Sequence, residues 1–353
     1  MIALACEEGL KLHQMDITTA FLYGDLEETI YMKQPKGFVT EGQEHLVCRL
    51  KKSLYGLKQS PRCWNRALDS QLKTMGFKQS ASDPCVYTST TDGLFIWAVY
   101  VEDILLAVKS QQKIDQVKAD LGKKFHVKDM GELNYFLGVS VKQNPETGKI
   151  WIGQQAYTEA VIKKFGMEHS KPICTPVTPG TKLQKATEQS EMVDVVLYQS
   201  AVGHLLYLSG WTRPDIAFAV GSAARFCSNL TTEHWVAVKR ILRYLKGTIS
   251  YGLEYSMNEE DDENILSGYS DADWAGDAND QKSTSGYLFL MSGAAISWKS
   301  KKQTCIALST AEAKYVALSG ATQEAAWMRQ LLEDLYHRHD QQSYMRTISQ
   351  LLP

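Results

Sequence analysis

Three acidic residues in the first third of the chain have the types and placement that phosphoryl transfer needs. Asp16 stands in the strand-like stretch 12–21. Glu102-Asp103 separate two runs, 94–101 and 104–108, that are rich in β-branched and aromatic residues. This pattern predicts a strand running into a polar turn at Gly24-Asp25, and a hairpin with Glu102-Asp103 at its tip. Strand ends hold their side chains rigidly, so carboxylates from neighbouring strands can converge on a shared cation. Two Mg²⁺ about 3.5–4 Å apart, bound by carboxylates, would activate an attacking oxygen and stabilise a leaving one. Acidic residues at a turn tip are also common simply as solvated groups, and these three residues alone leave that alternative open.

The surrounding elements must hold these groups in place. A helix is predicted over 60–75, where Cys63, Trp64, Ala67, Leu68, Leu72 and Met75 recur at roughly helical spacing. Another is predicted at 112–125, then a strand at 135–141. Mixed order of this kind implies an α+β sheet domain over 1–150. From 151 to 258 the reading is mostly helical, broken by a loop at Pro172, Pro176, Pro179 and Gly180. Residues 235–245 read as a basic amphipathic helix, and the acidic run 259–263 as a linker. A third block, 264–336, has strands near 266–270, 286–291 and 295–300 and a long Ala-rich helix over 309–336. The polar tail 337–353 is expected to be frayed. No internal repeat is visible.

Composition narrows the function. The chain has 353 residues, room for two or three domains. With 22% charged and 44% hydrophobic residues, disorder is excluded for most of it. Lys plus Arg 38 against Asp plus Glu 40 leaves a net charge of −2, so any nucleic-acid binding must rest on a local patch. One candidate spans 49–66, where Arg49, Lys51, Lys52, Lys58, Arg62 and Arg66 occur with no acidic residue. It reads equally as a phosphate-tracking surface or as a solvated helix face. Seven cysteines, none at C-x-x-C spacing, argue against a disulfide framework and a structural zinc site. No apolar run approaches the ~18 residues that cross a bilayer, and the N-terminus lacks the basic start and apolar core of a signal peptide. The expectation is a soluble intracellular protein, cytoplasmic or nuclear, with no membrane partner.

Met15-Asp16-Ile17-Thr18-Thr19-Ala20-Phe21-Leu22, then Ser53-Leu54-Tyr55-Gly56-Leu57-Lys58-Gln59-Ser60-Pro61-Arg62-Cys63-Trp64, then Tyr100-Val101-Glu102-Asp103 occur in this order. The set closely resembles the reverse transcriptase of copia-type (Ty1/copia) retrotransposon Pol polyproteins. Gly131-Glu132-Leu133-Asn134-Tyr135-Phe136-Leu137-Gly138 resembles the segment that grips the primer end. Residues 198–220, with Thr212-Arg213-Pro214-Asp215-Ile216-Ala217, and 239–247 resemble the connecting region. Gly268-Tyr269-Ser270-Asp271-Ala272-Asp273-Trp274 and Lys282-Ser283-Thr284-Ser285-Gly286-Tyr287 resemble the first strand and following hairpin of the family's ribonuclease H. The resemblance covers nearly the whole chain to about Tyr336. It implies a palm with largely missing fingers, a helical thumb and connection, and a truncated ribonuclease H-like α/β domain. It implies Mg²⁺ held by Asp16, Glu102 and Asp103, with Asp271 a catalytic ligand of the third block. Phe21 would exclude a ribose 2′-hydroxyl, Tyr55 and Gly56 would line the nucleotide pocket, and Lys58, Arg62 and Arg66 would contact nucleic acid. The implied partners are an RNA or DNA template–primer and deoxynucleoside triphosphates.

Three departures from the family pattern lower the expected activity. The hairpin pattern is Tyr-x-Asp-Asp, and Glu102 stands at the first aspartate. A change in reach of about 1 Å costs on the order of a hundredfold in a positioned site. The chain begins fifteen residues before Asp16, so the fingers that hold the triphosphate are expected to be largely missing, leaving an exposed sheet edge. The helix motif Ser-x-Ala-Glu-Ala-Glu-Tyr here reads Ser309-Thr310-Ala311-Glu312-Ala313-Lys314-Tyr315, placing a cation where a metal ligand belongs. Glu312 lies about 200° away around the helix. His337 and His339 read as solvated residues of the tail. The expectation is a degenerate Pol fragment with little or no polymerase activity and no ribonuclease H activity. The alternatives are a weakly active Mg²⁺-dependent polymerase and a non-catalytic nucleic-acid-binding or assembly module.

Overall fold

The strand-like stretch 12–21 and the apolar, β-branched and aromatic runs of 94–108 become, in the computed structural model, the centre of a six-stranded antiparallel sheet. The structure describes residues 1–91, 93–186, 193–257 and 266–336. The expected acidic linker at 259–263, and the expected frayed tail with its two histidines, lie outside the described residues. The chain forms two compact units. Among the described residues, one is Leu10–Leu133 with Gln330–Tyr336; the other is Ile2–Gly9, which contains helix α1 (Ile2–Glu7), with Asn134–Arg329.

The first unit contains β1 (Lys11–Ile17), β2 (Tyr31–Lys33), β3 (Val47–Arg49), α2 (Ser60–Thr74), β4 (Lys78–Gln79), β5 (Val86–Ser89), β6 (Phe95–Tyr100), β7 (Asp103–Val108), α3 (Gln111–Gly122) and β8 (Val127–Glu132). Its main sheet has the order β4-β5-β6-β7-β1-β8, while β2 and β3 pair separately. Successive residues of a strand point to opposite faces. Met15 and Ile17 of β1 and Ile104, Leu106 and Val108 of β7 therefore share one face. They pack with Trp64, Leu68 and Leu72 of α2 and Ile114, Val117 and Leu121 of α3. Burying each such side chain contributes about 1.5–3 kcal/mol, which commits the alternate residues Gln14, Asp16 and Asp103 to the other face.

Two boundaries differ from expectation. The first strand stops at Ile17 rather than continuing to 21. Thr19 turns left-handed at φ 55°, and Ala20–Tyr23 form a 3₁₀ turn. The hairpin tip is Val101-Glu102, while Asp103 is the first rung of β7, opposite Tyr100. A two-residue loop matches the twist of the strands it joins, and that shifts the tip by one residue.

The second unit contains, after α1, β9 (Tyr135–Phe136), β10 (Val139–Gln143), β11 (Ile150–Gly153), α4 (Gln155–Lys164), α5 (Val195–Trp211), α6 (Ala217–Ala224), α7 (Thr232–Gly247), β12 (Gly252–Tyr255), β13 (Ser267–Ala272), β14 (Thr284–Met291), β15 (Ala294–Lys302) and most of α8 (Thr310–Tyr336). The single strand expected over 135–141 is instead a hairpin, bent at Leu137-Gly138. Both turn residues have positive φ, 48° and 84°. The Tyr207 hydroxyl donates to the Leu137 carbonyl at 2.7 Å, and any Cβ on Gly138 would collide with that hydroxyl. Glycine is required there on both counts.

Helices α4, α5, α6 and α7 share an apolar core through Val161, Tyr198, Leu205, Val220, Val238 and Leu242. Arg213, 2% exposed, sits in the bend before α6. Its guanidinium donates to both Asp215 carboxylate oxygens and to the Thr248 carbonyl, and Tyr244 donates to Asp215 at 2.8 Å. The strands β13-β14-β15 form an antiparallel sheet. Phe289 of this sheet packs with Leu266 and with Ala321, Ala325 and Met328 of α8. The fold is thus mixed α+β with several antiparallel sheets, as the sequence leads one to expect. No helix among the described residues is long and apolar enough to cross a membrane.

Candidate metal and nucleic-acid site

Asp16 and Asp103 are direct partners in the β1–β7 ladder. Directly opposed residues share a face, with Cβ atoms about 4.5–5.5 Å apart, so the two carboxylates point the same way, away from the α2–α3 core. Gln14, two residues before Asp16 on that face, donates its amide to Asp103 Oδ1 at 3.2 Å. Across the other ladder Asp16 is opposite Lys128 of β8. Burial raises the Asp16 carboxyl above its ordinary value, the charges of Glu102 and Asp103 add to this, and Lys128 opposes it. These are the electrostatics of acids gathered without enough positive charge among them.

Glu102, near enough for its charge to raise Asp16, is also a hydrogen-bond acceptor. The Tyr55 hydroxyl donates to Glu102 Oε2 at 2.8 Å. Burial, that hydrogen bond and the nearby Glu102 and Asp16 charges together raise the phenol's pKa. Phe21 and Tyr55 touch, with ring centroids 4.8 Å apart. Their loops approach closely because of Gly24, where a Cβ would lie 2.6 Å from Cys63 Cβ and 2.8 Å from Ser53 Oγ. Ser53 donates through its hydroxyl to the Phe21 carbonyl and through its N–H to Gly24 O. Gly56, beside Tyr55, is left-handed at φ 94° with open space where a side chain would project.

Among the described residues, no three His, Cys, Asp or Glu side chains stand close enough together to hold an ion. The donor chemistry nevertheless suits Mg²⁺, which takes one or two carboxylates and completes its shell with water and substrate phosphates. Asp16 and Asp103 would supply that pair.

The basic stretch 49–66 is less uniform in space than in sequence. Lys52 pairs with Asp25 at 2.6 Å, and Arg66 pairs with Glu27. Both acids arrive from the turn after Phe21, a partnership that spacing along the chain does not show. Lys58 and Arg62 are exposed, and neither is in an ion pair among the described residues.

In the second unit, Asp271 lies on β13 with its side chain 79% exposed, and Lys314 Nζ is 3.8 Å from its Oδ1. Glu312 accepts from the Leu308 N–H at 2.7 Å, while Ser309 Oγ accepts from the Glu312 N–H. That carboxylate is thereby engaged in capping α8. Gln14 and Lys128 are neighbours of the pair that sequence reasoning missed. For Gln14 a signal existed, since it is two residues from Asp16 in a strand.

Residues 1–179 match the profile described as reverse transcriptase (RNA-dependent DNA polymerase). The chain belongs to the reverse transcriptase family, in its copia-type retrotransposon branch. It is 44% identical, over 342 residues, to a retrovirus-related Pol polyprotein from transposon TNT 1-94 of Nicotiana tabacum, which covers 95% of this chain and 26% of the polyprotein. It is 38% identical over 338 residues to the corresponding polyprotein of transposon RE1 of Arabidopsis thaliana, covering 95% of this chain and 22% of the relative. A putative transposon Ty5-1 protein of Saccharomyces cerevisiae is 35% identical over 312 residues, 88% of this chain and 100% of its own length. The chain thus spans about a quarter of the two plant polyproteins.

Proposed function

We propose that this chain is the reverse transcriptase and ribonuclease H-like region of a copia-type Pol polyprotein, degenerate and with little or no catalysis of its own. The observation that carries the first half of this reading is the register of β1 against β7, which sets Asp16 opposite Asp103. A divalent cation bound by that pair would supply charge neutralisation for an attacking hydroxyl and a leaving pyrophosphate. In this reading Gln14 steadies Asp103, Phe21 and Tyr55 face the sugar and base of an incoming deoxynucleotide, and Lys58 and Arg62 track template–primer phosphates.

The second half rests on two side chains. Glu102 is one methylene longer than the aspartate of the family pattern and bonds Tyr55. Lys314 brings an ammonium to Asp271 where the family motif has a carboxylate. An ammonium there competes with any ion for the same aspartate. The exposed Lys58 and Arg62 favour a second reading, in which template–primer binding persists without turnover.

The test is primer extension by the purified chain in Mg²⁺ and in Mn²⁺, with Asp16→Ala and Glu102→Asp alongside. The expected result is extension at or near background for the native chain. Extension lost in Asp16→Ala would establish a working polymerase and overturn the degenerate reading. A gain of on the order of a hundredfold in Glu102→Asp would locate the defect at that residue.

A further inference from the structure

Only Val101 and Glu102 lie outside the ladder between the paired residues Tyr100 and Asp103. Val101 has φ 58°, a left-handed conformation that crowds a β-branched side chain more than most. Such a conformation persists where surrounding contacts over-determine it. At this turn there are three. Trp64 of α2 donates its indole N–H to the Val101 carbonyl at 2.6 Å. The Ile17 N–H, next to Asp16, donates to the Glu102 carbonyl at 2.9 Å. Tyr55 donates to the Glu102 carboxylate.

Trp64 is the contact made from the core side. It is 3% exposed, with Phe125 edge-on at 5.2 Å and Tyr23 at 6.2 Å between ring centroids. A buried indole N–H needs an acceptor, and its acceptor here is the carbonyl of the strained residue itself. The helix that fills the core thus also holds the acidic turn through a single bond.

We propose that Trp64 is a positioning residue for the Asp16–Asp103 pair: by holding the Val101 carbonyl it keeps the turn left-handed, and so keeps Asp103 facing Asp16. The inference rests on reading that pair as an ion site, but its geometric content stands apart from activity. Without the indole N–H the turn can relax, and Asp103 is the first residue beyond it.

The test uses the full chain with Trp64→Phe, Val101→Gly and both together. Phenylalanine keeps a ring in the core and deletes the donor, while glycine removes the left-handed penalty. Two quantities are measured: Mn²⁺ affinity in the absence of nucleic acid, and amide exchange at Ile17 and Asp103. Trp64→Phe is expected to weaken Mn²⁺ binding about tenfold and speed exchange at both amides by a similar factor, with most of each effect recovered in the double variant. A lower melting temperature in Trp64→Phe with both quantities unchanged, or a double variant no better than Trp64→Phe, would overturn the proposal. If the native chain binds Mn²⁺ no better than Asp16→Ala/Asp103→Ala, the ion-site reading fails and the exchange rates alone decide the role of Trp64. Should Trp64→Phe not fold, folding of the double variant supports the proposal; failure of both refutes it, because core packing is then the whole of the tryptophan's role.

Discussion

At Asp16 the requirements of folding and of ion binding oppose each other. Its carboxyl is raised by burial and by the charges of Glu102 and Asp103, so the folded chain binds that proton more tightly than the unfolded chain does. Stability then falls as pH rises from the ordinary carboxyl value through the raised one. Asp16→Asn removes the charge while keeping the shape. In the presence of a chelator at pH 7 its melting temperature is expected to exceed that of the native chain, and the difference should close as the pH is lowered toward 3.8. A variant that melts lower at pH 7 would contradict this account. Lys314 presents the converse case, a cation seated beside a lone exposed carboxylate. Lys314→Glu replaces it with a second acid and should create a divalent-ion site that Asp271→Asn abolishes again. Mn²⁺ titration would show one additional bound ion, and an unchanged count would remove Lys314 as the obstacle.

Single elements in this protein are held by few, well-placed polar contacts at their ends. The bend between α5 and α6 depends on Arg213, which ties Asp215 to the end of α7 through Thr248 and stacks near the rings of Tyr244 and Tyr251. Removing one member of a buried ion pair typically costs about 3–5 kcal/mol. Because the Asp215 side chain is 31% exposed and can be partly rehydrated, Arg213→Ala is expected near the lower end, about 3 kcal/mol, read as a fall in the urea midpoint at constant slope. A loss under about 1 kcal/mol would show that water replaces the guanidinium easily. The same residues looked like one motif of a connecting region in the sequence. In space they form a brace between two helices.

Over the whole molecule, a net charge of −2 gives no general attraction to nucleic acid. Any affinity must come from cations that the fold leaves uncompensated. Two of the six in the stretch 49–66 are neutralised by Asp25 and Glu27, whereas Lys58 and Arg62 remain exposed. Template–primer binding should therefore weaken steeply with salt. Lys58→Ala/Arg62→Ala should flatten the log–log slope by about 2, one unit for each phosphate that no longer meets a cation. Fluorescence anisotropy between about 50 and 200 mM salt would measure it, and an unaltered slope would place the binding surface elsewhere.

The ordered motifs around Asp16, Tyr55 and Asp103 made the family legible from sequence, and apolar spacing located α2 and the β6–β7 hairpin to within a residue or two, because both signals are local. Local signals have no view across the sheet. They could not show that Asp16 and Asp103 share a rung, that Glu102 is drawn to Tyr55, that Trp64 reaches Val101, or that Arg66 is paired with Glu27. Sequence by itself determined which residues belong to core faces and which family pattern they follow, since burial periodicity and motif order are written along the chain. Tertiary structure alone decided which charges meet, because electrostatic energy depends on distance through space, and residues dozens of positions apart are brought together only by strand register and helix packing.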